Sequence, residues 1–403
     1  MSNTTHTGHP RIYLDNGAST AVDSRVVATM QPYWSEHIGN AGSLDLEGRY
    51  AKNILAEARS SVAKSLHAID EQVVFTSGGT ESNNLAVFGV IEKCLELGKK
   101  PEELHIITSA VEHNSVTDCY AHFERKGIRV TYIPVDTEGR VDVQKFESAF
   151  TKDTVLVSCM YVNNEIGTIE HIKELSGIVR QVRKKNNAAV YPLFHTDASQ
   201  SPAWVTVNVQ KLGVDLLTLD SQKIYGPKGA GCLFVRDREY ITPMLFGGGQ
   251  EFGLRPGTPP IPLIVGFAKA LELVEEERET YVKEVAELRD WLIAYIFKNL
   301  DGVVLNGSMG EGRIAGNINV SFPNVDDEQL VIEMDARGVA VSAKSACLSG
   351  DSEGSRVVKA LHNGSPKNSG AIRFSLSRFT TKSEIEICAS IIVETVTWLQ
   401  TSH

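Results

Sequence analysis

The sequence predicts an α/β protein whose larger domain is a mostly parallel, seven-stranded sheet, followed by a smaller α/β domain. Short apolar runs alternate with helical patterns between residues 50 and 240, as expected where helices cover both faces of parallel strands. The predicted strands are 72–76, 104–108, 128–133, 154–160, 189–196, 214–219 and 231–235. Helical patterns between them include 80–97 and 171–186.

The sequence changes character after Gly257, where prolines cluster at positions 256, 259, 260 and 262. A long helical pattern then runs to about Leu300. The later predicted elements are a strand at 314–322, helices near 326–337 and 353–362, a strand at 371–375 and a helix at 382–400. Because 403 residues exceed one ordinary core, we predict two domains, one of residues 16–260 and one of 1–15 with 261–403.

The composition argues against several classes of function. A net charge of −10 and a pI near 5.6, without a basic stripe, argue against direct binding of DNA. The sequence has neither a secretory signal nor an apolar run of about 18 residues, so we expect a cytoplasmic protein without a membrane span. The six cysteines contain no CxxC pair, which favours unpaired thiols in a reducing compartment and indicates no metal site.

A Gly-Gly turn joins a predicted strand to a predicted helix at 75–84, Phe-Thr-Ser-Gly-Gly-Thr-Glu-Ser-Asn-Asn. The N–H groups and the dipole at the start of a helix favour an anion, and glycine lets the backbone approach it. The pattern therefore indicates a phosphate cradle. A tight turn in which Ser77 or Thr80 caps the helix explains the same residues.

Three further residues have side chains suited to catalysis. Asp197 follows a strand, where a carboxylate can pair with a protonated pyridine nitrogen, although a helix cap is an equal alternative. Lys223 lies between a buried strand and a Gly-Pro turn, where desolvation favours the neutral amine of a Schiff base, although most lysines are surface residues. Cys347 lies in a Gly/Ser-rich segment beside Lys344, which favours a thiolate, and an incidental surface thiol is the alternative.

Taken in this order, the segments resemble the cysteine desulfurases of the class V aminotransferase-like family, which use pyridoxal 5'-phosphate (PLP). The resemblance runs from Tyr13 to about Phe379. It is carried by YLDN, TSGGTESNNLA, VEH, VNNEIGT, HTDASQS, QKIYGPKG, GGGQEFGLRPGT, SAC and IRFSLSRFT. The Ser-Ala-Cys motif is typical of the branch with a long catalytic loop. The resemblance implies PLP fold type I and the conversion of L-cysteine to L-alanine, with the sulfur kept as a persulfide on the enzyme.

The resemblance also implies roles for individual residues. Lys223 would carry PLP as a Schiff base, His113 would stack on the cofactor ring, and Cys347 would be the nucleophile that receives the sulfur. Asn164 and Arg373 would bind the substrate carboxylate. Further cofactor contacts are implied for Gly79, Thr80, Asp197, Gln200, Ser221, Gln222 and, from a neighbouring subunit, Thr258.

Partners follow from the same resemblance. A threonine that reaches the neighbouring subunit implies a homodimer. A persulfide implies a sulfur-acceptor protein in iron–sulfur cluster assembly, tRNA thiolation or cofactor sulfuration. Some relatives extend beyond the position of His403 with a tail that docks an iron–sulfur scaffold protein. A selenocysteine lyase or other PLP lyase, and a non-catalytic interaction protein of the same fold, are the alternative functions.

One stretch departs from the family pattern beside the lysine. Asp220-Ser221-Gln222 stands where the family usually has Ser-Gly-His or Ser-Ala-His, whose serine and histidine help to hold the cofactor. An aspartate repels a phosphate if its carboxylate points towards it. We therefore expect this chain to retain PLP more weakly than a relative with the usual residues.

Overall fold

The computed structural model describes residues 11–188, 190–343, 355–362 and 369–401. Its strands form sheets of seven, three and two strands. The strands are β1 (Ile12–Tyr13), β2 (Val73–Thr76), β3 (His105–Ser109), β4 (Arg129–Ile133), β5 (Thr154–Ser158), β6 (Leu193–Asp197), β7 (Leu216–Asp220), β8 (Gly231–Val235), β9 (Val304–Leu305), β10 (Asn317–Pro323), β11 (Val339–Ala340) and β12 (Ser369–Ser375).

The seven-stranded sheet has the order β2-β8-β7-β6-β5-β3-β4. Strands β4, β3, β5, β6 and β7 pair in parallel, whereas β8 runs antiparallel to both of its neighbours. Each of the seven predicted strands lies in this sheet, so the predicted mostly parallel α/β architecture is confirmed. The carboxyl ends of β3, β5, β6 and β7 lie at one edge, where ligands bind in sheets of this kind.

Helices cover both faces of this sheet because neighbouring residues of one strand face opposite cores. Ile106 and Leu216 pack in one core with residues of α4 (Gly79–Glu96) and α5 (Asn114–Arg125), while Ile107 and Leu217 pack in the other core. No helix in the described ranges is long and apolar enough to cross a membrane. The helices are α1 (Ser24–Met30), α2 (Pro32–Ser35), α3 (Leu46–Leu66), α4 (Gly79–Glu96), α5 (Asn114–Arg125), α6 (Val143–Ser148), α7 (Ile172–Lys185), α8 (Val209–Leu212), α9 (Ile261–Asn299), α10 (Asp327–Ala336), α11 (Arg356–Leu361) and α12 (Lys382–Thr401).

The 39-residue helix α9 connects the two cores of the chain. Its first half, including Phe267 and Val274, packs in the core of the large sheet. Its second half, including Leu292 and Ile296, packs with β10, β12, α10 and α12 in the core of the smaller domain. Because the two halves of α9 pack in different cores, we propose that the domains divide within α9 rather than at residue 260, where the helix only begins.

The N-terminal segment ties the smaller domain to the turn that follows β7. Strand β1 pairs in parallel with β11, and Asp15 forms a parallel bridge with Ser375 at the end of β12. A few residues later, the N–H and the hydroxyl of Thr20 both donate to the carbonyl of Gln222 at 2.9 Å. The segment between these contacts therefore lies against both domains.

Arg378 fixes the same turn from the C-terminal side. Its guanidinium is 3% exposed and pairs with the buried carboxylate of Asp23 and, at 2.9 Å, with Glu277. It also stacks on the ring of Tyr225 at 4.4 Å, and the backbone N–H of Arg378 donates to the Tyr225 hydroxyl at 3.0 Å. This buried cluster sets the position of the smaller domain relative to the residues around Lys223.

We predict that Arg378→Ala lowers the free energy of unfolding by about 3 kcal/mol, because the variant removes one partner of a buried ion pair. Urea unfolding followed by tryptophan fluorescence measures the change. Lys382→Ala is the control, since its ion pair with Glu386 is exposed and should contribute little. Equal effects of the two substitutions would contradict the structural role given to Arg378.

Candidate active site

A cavity of about 180 Å³ opens at the carboxyl ends of the parallel strands. Its lining residues include predicted site residues from six separate segments of the chain. Nine of the predicted site residues line it, namely Gly79, Thr80, His113, Asn164, Asp197, Gln200, Gln222, Lys223 and Arg373. The cavity therefore brings together most of the residues that the sequence predicts to bind the cofactor and the substrate.

Strand ends position most of these side chains. His113 caps α5 after β3, and Asn164 lies in the turn after β5. Asp197 is the last residue of β6, and Lys223 lies one short helical turn beyond β7. Since parallel strands end at the same edge, residues more than 100 positions apart become neighbours.

Asp197 is held rigidly at the base of the cavity. Its Oδ2 accepts a hydrogen bond from the Asn83 amide at 2.7 Å, and its Oδ1 accepts one from the Ser199 N–H at 2.9 Å. The same Asn83 amide donates to the Ser115 hydroxyl at 2.8 Å. With both oxygens anchored, the carboxylate presents a fixed negative charge to a ligand.

His113 is neutral in this setting and has a defined tautomer. Its Nδ1 accepts a hydrogen bond from the Ser115 N–H at 3.1 Å, which leaves the proton on Nε2. Burial lowers the pKa of His113, and the Lys223 ammonium adds to the shift although Asp197 opposes it. The ring can therefore lie against a cofactor without bringing a positive charge.

A second carboxyl group, Glu112, lies buried directly before His113 in the chain. Its Oε1 accepts hydrogen bonds from the Ser109 hydroxyl at 2.5 Å and from the Met160 N–H at 2.8 Å. Burial raises the pKa of Glu112 to about 7, with a further contribution from the charge of Asp197. Near neutral pH this group is therefore partly protonated, which limits the negative charge around Asp197.

Lys223 points into the cavity from a tightly held turn. Its Nζ donates to the carbonyl of Gly17 at 2.8 Å and to that of Ala18 at 2.5 Å. The turn continues into Tyr225, which has a left-handed backbone with φ of 65° and whose N–H donates to the Thr20 hydroxyl at 2.8 Å. The N-terminal segment thus forms the wall against which the lysine lies.

Arg373 is a buried cation at the border of the two domains. It is 2% exposed, and its guanidinium donates to the carbonyl of Asn164 at 2.9 Å and to the carboxylate of Asp15 at 2.8 Å. Its Nε has no hydrogen-bond partner among the described residues. A carboxylate ligand would satisfy this donor in the side-on manner that arginine favours.

The start of α4 forms a cradle with room for an anion. Gly78 has a φ of 146°, and a Cβ at Gly79 would lie 3.0 Å from the Ser199 hydroxyl and 3.3 Å from an oxygen of Asp220. That hydroxyl is buried and has no partner in the part of the chain that the structure describes. The glycine and the unpaired hydroxyl fit a phosphate, whereas the nearby carboxylate opposes one.

The side chains of Asp220, Ser221 and Gln222, which depart from the family pattern, point in different directions. Asp220 lines the cavity, and its carboxylate accepts from the N–H of Gln222 at 3.2 Å and from the Gln222 amide at 3.1 Å. The hydroxyl of Ser221 lies on the other side, where a Cβ at Gly226 would come within 2.2 Å of it. Ser221 is fully buried and does not line the cavity, so its hydroxyl does not make the expected cofactor contact in this structure.

Of the two remaining predicted site residues, the structure describes one. Thr258 is exposed in the loop before α9 and does not line the cavity of its own chain. Cys347 and its neighbour Lys344 lie outside the described residues. No group of His, Cys, Asp and Glu side chains within the described ranges is arranged to hold a metal ion.

The described residues on both sides of 344–354 are tied to the cavity. Before this segment, Ser342 and Arg373 exchange backbone hydrogen bonds. After it, the Ser355 hydroxyl donates to the carboxylate of Glu165, which directly follows Asn164. The residue before the undescribed segment is therefore bonded to Arg373 itself, and the residue after it is bonded to the neighbour of Asn164 in the chain.

Several cavity residues were not predicted from the sequence. Asn83 lies four residues after Gly79, so the helical period places both on one face of α4. Ser199 lies two residues after Asp197 and could have been found as its backbone partner. No local signal identifies Gly17 and Ala18, which reach the cavity only through tertiary contacts.

Comparisons with known proteins identify the family of the chain. The family model "Aminotransferase class-V" matches residues 12–388. The chain is 40% identical to "Cysteine desulfurase IscS" of Dictyoglomus turgidum over 97% of this chain and 95% of that protein. It is 42% identical to "Cysteine desulfurase, mitochondrial" of Arabidopsis thaliana over 96% of this chain and 83% of that protein.

Solved structures give the same result. A "NifS-like protein" superposes with a TM-score of 0.87 at 34% identity, covering 96% of this chain and all of that one. A structure described as "SspA in complex with cysteine" superposes with a TM-score of 0.76 at 32% identity, over 92% and 100% of the two chains. The chain therefore belongs to the class V aminotransferase family, and within it to the cysteine desulfurases, which are PLP-dependent enzymes.

Proposed function

We propose that this cysteine desulfurase converts L-cysteine to L-alanine with Lys223 and Cys347 as its two reacting groups, and passes the sulfur to an acceptor protein. The observation that carries the proposal is the meeting of Lys223, His113, Asp197 and Arg373 in one cavity. A lysine, an anchored carboxylate and an anion site are what PLP chemistry on an amino acid requires.

The residues around the cavity suit PLP except at one point. We assign Gly79 and Thr80 to the phosphate, Asp197 to the ring nitrogen and His113 to the face of the ring. Gln200, whose amide donates to the Gly17 carbonyl at 2.9 Å, lies within the same cavity and is assigned to the phenolic oxygen. Asp220 is the exception, because its carboxylate adds a negative charge beside the phosphate cradle.

Bound PLP supplies an electron sink that weakens the bonds at the α-carbon of cysteine. In our proposal Arg373 and Asn164 orient the substrate carboxylate, and Lys223 takes the α-proton. The thiolate of Cys347 then attacks the substrate sulfur, so that an S–S bond forms and the C–S bond breaks, with its electron pair left on the substrate β-carbon. The β-carbon takes up a proton equal to the one that Cys347 lost, Lys223 returns the α-proton, and alanine leaves. We assign the exchange of a proton with the substrate to His113, whose Nδ1 accepts a hydrogen bond and whose Nε2 therefore carries the proton.

The cysteine-bound relative supports cysteine over selenocysteine as the substrate of this chain. We keep a selenocysteine lyase as the second candidate because the same cavity serves both. The acceptor of the persulfide sulfur belongs to iron–sulfur cluster assembly or tRNA thiolation in our proposal. We place the reaction in the cytoplasm, since the five described cysteines are unpaired thiols, as a reducing compartment maintains them.

We also propose that the enzyme is a homodimer. Large apolar side chains are exposed in the loop before α3 and in the loop after β8, including Leu44 and Phe246, each 90% exposed. We infer that the partner subunit covers these loops, since apolar side chains that gather on one exposed surface mark sites of protein contact. Thr258, exposed beyond the second of these loops, is then available to the cofactor phosphate of the partner subunit.

Cys347→Ser should abolish persulfide formation and alanine production while the visible absorbance of the bound cofactor remains. Mass spectrometry of the protein after L-cysteine treatment and an alanine assay measure the two effects. The control is Cys119→Ser, since Cys119 already donates to the Ser115 carbonyl at 3.1 Å and a hydroxyl can do the same. Alanine production that survives Cys347→Ser would exclude the persulfide mechanism.

Lys223→Ala should remove both the activity and the visible absorbance band that PLP gives when linked to a lysine. The spectrum of the reconstituted protein separates an enzyme from a non-catalytic relative of the same fold. An unchanged spectrum would mean that Lys223 does not hold the cofactor.

Asp220→Asn should lower the dissociation constant of PLP by about tenfold, because it removes a negative charge beside the phosphate cradle and keeps the side chain's shape. Absorbance titration of the apoenzyme with PLP measures the constant, and retention through prolonged dialysis gives a second reading. Asp237→Asn is the matched control, since Asp237 caps a similar short turn after β8, away from the cavity. Unchanged binding in Asp220→Asn would show that the carboxylate does not oppose PLP.

Phe246→Glu should convert the dimer to monomers, because a charge in a covered apolar contact is costly to desolvate. Sedimentation velocity measures the mass of the particle. The control is Ile332→Glu, which places the same charge at an exposed site on α10. A dimer that persists in Phe246→Glu would place the interface on another surface.

A further inference from the structure

Asp15 is the one carboxylate that pairs with Arg373 in the described structure. Its Oδ1 accepts from the Arg373 guanidinium at 2.8 Å, and its side chain is 20% exposed while that of Arg373 is 2% exposed. Asp15 itself does not line the cavity, whereas Arg373 and Asn164 do. The carboxylate thus lies behind the arginine as seen from the candidate substrate site.

The backbone around Asp15 leaves it little room to move away. The Asp15 bridge to Ser375 fixes its main chain, and the Tyr13 hydroxyl donates to the Asp15 carbonyl at 3.1 Å. Gly17 covers the arginine closely, since a Cβ there would lie 3.1 Å from Arg373 Cζ and 2.8 Å from the Ser375 hydroxyl. Among the described residues, Asp15 is the charged partner of Arg373, and Lys223 lies across Gly17, to whose carbonyl its Nζ donates.

An arginine that is already paired attracts an anion less than an unpaired one. The negative charge of Asp15 partly cancels the positive charge of the guanidinium. This cancellation weakens the attraction for an anion most where water is largely excluded. Cysteine and alanine carry the same carboxylate, so a change at Arg373 alters the binding of substrate and product alike. Such a change affects saturation and product release rather than the sulfur transfer itself.

We propose that Asp15 is a positioning residue that also serves as a counter-charge, holding Arg373 in place while lowering its affinity for the amino-acid carboxylate so that alanine leaves. The proposal rests on the assignment of Arg373 to the substrate carboxylate. A counter-charge and a purely structural role predict opposite changes in amino-acid affinity when Asp15 is replaced. If Asp15 only held Arg373 in place, its removal would weaken amino-acid binding, whereas loss of a counter-charge strengthens it.

The test is Asp15→Asn in the PLP-loaded enzyme, because asparagine keeps an oxygen that can accept from Arg373 and removes only the charge. We expect the dissociation constant of L-alanine, titrated by the visible absorbance of the cofactor, to fall by about fivefold or more, together with the KM for L-cysteine. Unchanged or weaker alanine binding would overturn the proposal. Asp335→Asn is the matched control, since it removes an exposed aspartate that pairs with Arg11 and should leave alanine binding unchanged.

Two further measurements separate the proposal from its premise. Cysteamine has the amine and the thiol of cysteine but no carboxylate, so it should bind equally to Asp15→Asn and to the unaltered enzyme. If cysteamine bound differently to the two proteins, Asp15 would act through the general shape of the site, and the proposal of a counter-charge would be overturned. Arg373→Lys should weaken alanine binding at least tenfold. If it does not, the assignment of Arg373 fails, whatever Asp15→Asn does.

Discussion

The need to pair every buried charge organises this structure. A charged group taken out of water is stable only where hydrogen bonds or an opposite charge replace its hydration. Asp197 has the Asn83 amide, Arg373 has Asp15, and Lys223 has backbone carbonyls of the N-terminal segment. These partners come from distant parts of the chain, so the requirement for pairing brings the N-terminal segment and the smaller domain against the large sheet. The same contacts fix the cavity in which the ligands must bind.

The strands of the large sheet could be predicted because buried strands have a recognisable apolar sequence. Strands such as β5 and β7 are buried along their whole length and therefore appear as continuous apolar runs bounded by polar turns. The short strands β1, β9 and β11 were not predicted, since two residues carry no periodic pattern. The prolines predict a domain boundary because they interrupt a pattern, and the boundary that we propose within α9 rests on one unbroken helix with apolar residues in both cores.

The reacting residues were easier to predict than the residues that hold them. Asp197 and Lys223 follow strands, which made them candidates, but a helix cap and a surface lysine explained the same positions until the ordered motifs were considered together. The pairing of Asp15 with Arg373 joins residues 358 positions apart, and nothing local in either segment indicates the other. The direction of Ser221 was also beyond the sequence, since a shift of one residue after β7 decides which side chain faces the cavity.

The Asp220-Ser221-Gln222 stretch shows how a substitution can be balanced in part by its neighbour. The Gln222 amide and N–H both donate to the Asp220 carboxylate, which gives that charge hydrogen bonds that do not depend on a ligand. Both donors are neutral, however, so the negative charge beside the start of α4 remains. Hydrogen bonds stabilise the carboxylate where it is and at the same time keep it from turning away. For this reason the hydrogen bonds from Gln222 hold the Asp220 carboxylate where its charge opposes the binding of a phosphate.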